Sequence, residues 1–442
     1  MREMKDSGIE WIDCLPKEWD VYPLKTQFKF GKGLPITKAD LVELGMPVVS
    51  YGQIHSKRNN RTHLSDELLR FVDSRYLETN APSLGKKGDL FFADTSEDYD
   101  GIGNAVFLDT DSPVFAGYHT IIARPNNSKN GKYFAYLFTT DVWRSQLRSL
   151  ASGIKVFSVT MSMLRKVSII LPPLPEQQRI ADFLDRKCGE LDAVLEKTRA
   201  SIEEYKKLKQ SVITEAVTKG VRSERPMKDS GIEWIPYIPT EISMSRVGLH
   251  YNIILGKMLC SNQPDDTYTL EPYYCAADVH FDGVASGERK MMWFSPTEKT
   301  QYRVQRGDLL VVEGGAGAGG CAIVTEADTA IYIQNSIMIV RAKNTQENRY
   351  LKYLVESLVK QGYVDLVCNK ATIPHFTKDK LATVPFPVFS TEEQGEIADY
   401  LDTKCAEIDK LIAKKEQYIT ELESFKKSLI YKYVTGKKEV PV

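Results

Sequence analysis

No two of the seven cysteines stand at CxxC spacing. They lie at positions 14, 188, 260, 275, 321, 368 and 405, so neither a zinc ribbon nor a thioredoxin-type redox pair is written into the chain. An odd set of scattered thiols fits a reducing compartment. No apolar run approaches the 18 residues of a membrane span, and the opening MREMKDSGIEWIDC lacks the apolar stretch of a secretory signal. Both point to a cytoplasmic protein with no membrane partner. The six histidines show no metal-ligand spacing, so no metal site is expected. Charge of one sign is also missing. The formal net charge is −1, whereas a protein that neutralises many phosphates alone is usually basic. Nucleic-acid binding would have to rest on local basic groups or on partners.

Catalytic signatures are incomplete wherever they start. Glu271-Pro272-Tyr273-Tyr274 lacks the leading amide and the second proline of the adenine-N6 methyltransferase motif. Gly314–Gly320 is glycine-rich, but Cys321-Ala322 follows where a phosphate loop requires Lys-Ser/Thr. A close-approach turn is the better reading, with a glycine-bearing counterpart near Gly101-Ile102-Gly103. Pro264-Asp265-Asp266 has no later acid-x-Lys. For His119 and His375, ligand contact and a packing or surface role both stay open. No nucleophile–base constellation emerges, and no catalytic residue is assigned.

What is present is repetition. MKDSGIEWI at 4–12 recurs unchanged at 227–235. Each copy is followed by a proline and an acid, Pro16 and Glu18, then Pro239 and Glu241. EQQRIADFLDRKCGELD at 176–192 recurs as EQGEIADYLDTKCAEID at 393–409, identical at 11 of 17 positions. The chain is one plan written twice. The implied boundaries are a tag (1–20), a variable block (21–171), a helix (172–222), the repeated tag (223–243), a second variable block (244–389) and a second helix (390–442). Trp11 and Trp234 are the expected buried anchors of the tags.

In each helical segment apolar residues recur at alternating steps of three and four. Ile180, Leu184, Cys188, Leu191 and Leu195 open the first seam; Ile397, Leu401, Cys405, Ile408 and Ile412 open the second. Pro175 suits a first turn, Ser390 precedes Glu393 at capping-box spacing, and Gly220 and Gly436 suit left-handed stops. Two helices of about 40 residues, roughly 60 Å each at 1.5 Å per residue, follow. Generic dimerisation is one use for them; antiparallel pairing within the chain is the sharper one. The second copy replaces LPPLPEQQ with VPFPVFSTEEQ, which predicts a different entry into its helix.

The variable blocks alternate short apolar runs with Gly- and Asn-rich turns, as in a twisted, largely antiparallel sheet. Helices are expected at Lys132–Ser149 and Arg349–Val367. A weak echo links Gly88-Asp89-Leu90 to Gly307-Asp308-Leu309. Charge is balanced, with 16 Lys+Arg against 14 Asp+Glu over 21–153 and 13 against 14 over 244–370. The basic stretch HSKRNNRTHL at 55–64 holds residue types that read base edges, Arg for guanine and Asn for adenine. A solvated hairpin tip is the alternative.

The tag SGIEWI…LPKEW, the entry LPPLPEQQRIADFLD and the order frame–insert–frame–insert resemble the specificity subunit of type I restriction–modification systems, over essentially the whole chain. The resemblance implies an α+β fold of two mixed α/β target-recognition domains joined by two long antiparallel coiled-coil helices, with an internal pseudo-twofold repeat. It implies a prokaryotic, non-catalytic chain that reads a bipartite target in double-stranded DNA. Partners would be two modification (methyltransferase) subunits and restriction (translocase/nuclease) subunits. S-adenosylmethionine, ATP and Mg would sit in those partners, with no cofactor in this chain. Candidate DNA contacts for the first half-site are Lys32, Lys57, Arg58, Asn59, Asn60 and Arg61, with Lys155 and Ser158 leading into the helix. For the second they are Lys257, Asn262, Gln263, Arg289 and Lys290, with Lys370 and His375. A stand-alone DNA-binding regulator and a protein-binding scaffold are the rival readings.

Overall fold

A computed structural model describes residues 2–126, 130–151, 153, 155–325, 330–343, 345–368 and 374–441. Two compact units emerge, Met1–Thr198 with Gln417–Val442, and Arg199–Glu416. The sequence repeat becomes two continuous helices, Leu174–Lys219 and Thr391–Val434, of 46 and 44 residues. Both exceed the expected length because each begins six residues before the first seam residue, at Leu174 and Thr391 rather than at Ile180 and Ile397. Gly220 and Gly436 adopt φ of 77° and 68°, the left-handed conformation that ends a helix at little steric cost for glycine.

Within each unit the helices pair antiparallel. In the first, the Phe183 ring packs at a tilt against Tyr433, centroids 4.4 Å apart, and Lys426 binds Asp192 at 2.6 Å. In the second, Lys209 binds Asp409 and Arg222 binds Glu396, both at 2.7 Å. As numbers rise on one helix they fall on the other. Ile180, Leu184 and Cys188 are buried in the first unit, and Ile397, Leu401 and Cys405 in the second. Burial pushes both seam thiols up to about 11, so they act as small apolar filler rather than nucleophiles.

Each insert has its own four-stranded sheet, and the two sheets have the same strand order. In the first, strands run in the order Ala105–Phe107, Leu90–Ala93, Thr120–Pro125, Phe28–Lys32. In the second, the order Cys321–Ile323, Leu309–Val312, Ile337–Ala342, Tyr251–Leu255 repeats it. Every pairing in both is antiparallel. The weak echo marks equivalent turns: Asp89 and Asp308 each accept from the strand-end arginine, Arg124 at 3.1 Å and Arg341 at 2.7 Å. A further sheet has five strands in the first unit and three in the second. Each insert enters and leaves through a two-stranded ribbon, Asp20–Pro23 with Ser168–Leu171 and Met244–Arg246 with Pro385–Pro387.

The expected domain helices are each interrupted. Gly131–Thr139 stops at Thr140, whose ψ of 138° is extended, before Asp141–Leu150 begins. Asn348–Lys360 and Tyr363–Val367 are separated at Gly362, with φ 89°. These helices fasten the sheet to the frame by matching side chains. Tyr136 donates to Asp185 at 2.6 Å and Tyr353 to Asp402 at 2.7 Å. Tyr133 donates to the carbonyls of Ile170 and Val434, and Tyr350 to those of Pro387 and Val217.

The tags lock the helix starts. Arg2 pairs with Glu18 and Glu176; Arg225 pairs with Glu241 and Glu393. The side-chain amide of Gln177 donates to the Pro172 carbonyl at 2.8 Å, and that of Gln394 to Phe389 at 2.9 Å. The second helix keeps the Glu-Gln pair of the first, but its entry differs in one respect: Ser390, at the place of Pro173, caps the Glu393 N–H through its side chain at 3.3 Å. The anchors differ from expectation. Trp11 and Trp234 are half-buried, while Trp19 is fully buried and donates to Glu176 at 2.9 Å. Ile12 and Ile235, next to the expected tryptophans, go inside.

Burial raises the Glu176 carboxyl, but hydrogen bonds from Arg2 and Trp19 and the Arg2 charge outweigh it and hold the group below its ordinary value. A carboxyl depressed in the folded state stabilises above its unfolded pKa, and that contribution is lost as pH falls through the folded one. Acid unfolding of Glu176→Gln should show a shallower loss of stability across that window than the parent. Arg2→Ala, which strands a buried acceptor, should cost the first unit about 1–3 kcal/mol, measured by urea unfolding.

Candidate nucleic-acid interface

In the first unit an open groove forms where the sheet ends meet the strand Phe157–Ser158. Lys32, Gly33, Asp94, Thr95, His119 and Ser158 line it. Gly33 lies so close to the 116–120 segment that a Cβ would collide with the Gly117 carbonyl and the Thr120 hydroxyl. In the second unit Gly256 packs the same way against the Gln334 carbonyl. The surrounding backbone is the same in both. Asp94 N–H donates to His119 O at 3.1 Å, and Glu313 N–H to Ser336 O at 2.9 Å. Val159 N–H donates to Asp94 O at 2.7 Å, and Phe376 N–H to Glu313 O at 2.6 Å. Ser158 pairs with Thr95, and His375 with Gly314.

Side chains at these matched positions differ. Asp94 meets His119 Nδ1 at 3.1 Å and accepts from Thr95 at 2.7 Å. His119 holds φ at 54°, an uncommon conformation for a residue with a Cβ. Tyr51 stands edge-on to His119 at 5.4 Å and to Tyr118 at 5.6 Å. His55 supports the rim, contacting the Thr95 carbonyl at 2.8 Å and the Asn104 amide at 3.0 Å. Asn104 in turn accepts from the buried Arg144 at 2.9 Å. In the second unit Glu313 faces His375 Nδ1 at 3.9 Å.

The sequence-derived contacts divide by exposure. Lys32, Lys57, Arg58, Asn60, Lys155, Ser158, Asn262, Gln263, Lys290 and His375 are exposed. Arg58 reaches Glu67 at 3.2 Å, the Asn60 side chain accepts from the backbone of Thr62 and His63, and Gln263 donates to the Asp265 carbonyl. Arg61 is half-buried at φ 71°, and burial lowers its pKa. Three assignments require correction. Asn59 is buried, its amide donating to Ile54 and Ala105 carbonyls. Lys257 is buried on Glu298 and beneath the rings of Tyr268 and Phe294. Arg289 lies over Tyr274 at 4.9 Å, bonded to the Ala285 carbonyl and 3.7 Å from Asp278. Each holds its own domain together. Lys370 lies outside the described residues.

Asp94, Thr95 and Glu313 were missed, although a signal existed. Counting five residues on from the aspartates of the Gly-Asp-Leu echo lands on Asp94 and on Glu313. Among the described residues, no group of His, Cys, Asp and Glu could hold a metal ion. Gly33→Ala and Gly256→Ala should each destabilise their own unit by about 1–3 kcal/mol through overpacking, read from denaturant unfolding.

The family model described as "Type I restriction modification DNA specificity domain" matches residues 16–204 and 262–421. Among curated proteins, the chain is similar to the putative type I restriction enzyme MjaX specificity subunit of Methanocaldococcus jannaschii, 24% identical with 96% of this chain and 95% of that protein covered. It is also similar to the EcoKI specificity subunit of Escherichia coli K12, 20% identical over 67% of this chain and 61% of that protein. Among solved structures, a chain from work on assembly and conformational transition of a type I R-M system matches at TM-score 0.71, 19% identity, covering 96% of this chain and 99% of that one. The HsdS subunit of Thermoanaerobacter tengcongensis matches at TM-score 0.53, 20% identity, covering 96% and 98%. With two copies of the family domain spanning well over half its length, this chain belongs to the type I restriction–modification DNA specificity family.

Proposed function

We propose that this chain is the DNA-recognition subunit of a type I restriction–modification complex, with each insert reading one half of a bipartite target in double-stranded DNA. One observation carries the reading: two inserts of equal sheet order are fastened to two continuous helices by the same side chains, yet present different groups at matched positions. The two repeated frames offer equivalent surfaces to two modification subunits. Methyl transfer and cleavage belong to the partners, as do S-adenosylmethionine, ATP and Mg. A chain of net charge −1 shares the phosphate contacts with those subunits. The complex works in the prokaryotic cytoplasm; among the described residues no helix is long and apolar enough to cross a membrane. Lys57 and Arg58 at the first half-site and Lys290 at the second are the exposed cations we assign to DNA.

Methylated adenines should appear in a split motif when the chain is co-expressed with its modification subunit, and vanish without it. Tight, specific binding by the isolated chain with no methylation would favour a stand-alone regulator instead. The helices act as the ruler for the unread gap. Inserting one heptad into each helix at facing positions adds roughly 10 Å at 1.5 Å per residue. That should lengthen the gap by about three base pairs at 3.4 Å each, read by the same mapping. An unchanged gap would show that the helices do not set it.

A further inference from the structure

The matched positions hold an acid and an imidazole in both units, but build them differently. The acid stands at one structural position, Asp94 or Glu313, where its backbone N–H and C=O make the same two bonds. The imidazole comes from a different segment in each unit, the turn before Thr120–Pro125 in the first and the bridge residue facing Gly314 in the second. In the first it is His119, whose counterpart in the second is Ser336. In the second it is His375, whose counterpart in the first is Ser158. A purely structural couple would be expected to keep both members in place, as Tyr136–Asp185 and Tyr353–Asp402 do. Here the backbone is kept and the side chains are rearranged at the open rim. His119 and His375 are 57% and 58% exposed, against 34% and 20% for their acids. The imidazoles face solvent while the carboxylates sit deeper.

We infer that Asp94–His119 and Glu313–His375 are the base-reading couples of the two domains, each reading a C·G pair. This rests on the DNA-recognition reading above. Ionised carboxylates only accept hydrogen bonds. In the major groove an acid therefore matches the N4 amino group of cytosine, whereas Asn and Gln suit adenine. Asp94 Oδ1 is engaged by Thr95 and His119, while Oδ2 has no bond among the described residues. An acid that only accepts takes the Nδ1–H of His119, so Nε2 donates to guanine O6 or N7 on the same pair only in the imidazolium form, with both ring nitrogens protonated. An acid facing DNA repels phosphate, so the couple contributes discrimination rather than affinity.

The test is adenine-methylation mapping with the full chain and its modification subunit, comparing the parent with Asp94→Asn and Glu313→Gln. These substitutions keep size and an acceptor oxygen while adding a donor. Asp94→Asn should reduce methylation of the native sequence at least about tenfold and shift preference at one position of one half-site from cytosine to another base. Glu313→Gln should do so only in the other half-site. Unfolding midpoints equal to the parent's separate this from a folding defect; a variant that fails to fold is replaced by His119→Gln or His375→Gln, for which the same single-position relaxation is required. Unchanged base preference in folded variants, a uniform loss over all sequences, or a native half-site with no C·G pair would overturn the inference. A parent chain that directs no split methylation would overturn the recognition reading itself.

Discussion

A buried carboxylate must find a cation, because an uncompensated charge in the interior costs several kcal/mol. Glu176 and Glu393 sit at that constraint. Each begins a frame helix and draws an arginine from its tag. The neighbouring glutamine ties the helix start to the exit from the insert. The tyrosines one turn into the domain helix then reach the last carbonyls of the opposite frame helix, Val434 in one unit and Val217 in the other. Tag, helix start, helix end and insert are therefore joined within a few residues, and the nine-letter repeat is the visible trace of that junction.

Against this fixed junction the grooves show the opposite economy. Backbone bonds recur within a few tenths of an ångström, while side chains are exchanged between neighbouring segments. A frame must offer the same surface twice, so its side chains are held. A reader of two unlike sequences needs the same scaffold with different chemistry, so its backbone is held instead. The glycines at 33 and 256 serve the scaffold, since close strand approach at those points leaves no room for a Cβ.

Much of the frame was legible in the sequence, because local rules govern it. Heptad spacing, glycine stops and near-identical repeats each depend on neighbours a few residues away. Long-range partners were not legible. Lys257 looks like a free cation until Glu298, 41 residues later, takes it. Asn59 looks like a base reader until the carbonyl of Ala105 claims its amide. Trp11 and Trp19 are equal candidates by type; only the fold, which brings Glu176 to the Trp19 indole, decides between them. In the domain helices the spans were right and the breaks were not: Thr140 carries no strong breaker signal, whereas Gly362 does and was passed over.

The paired strands at the neck of each insert carry a final consequence. Asp20–Pro23 lies beside Ser168–Leu171, and Met244–Arg246 beside Pro385–Pro387, so the two cut points of an insert are neighbours in space. Whatever lies between them has only to present a compatible pair of strand ends. The chain is thus built like a socket: a foreign cassette that closes the same ribbon can be grafted in without disturbing the coil, and new sequence preferences become available by exchange of whole modules rather than by gradual substitution.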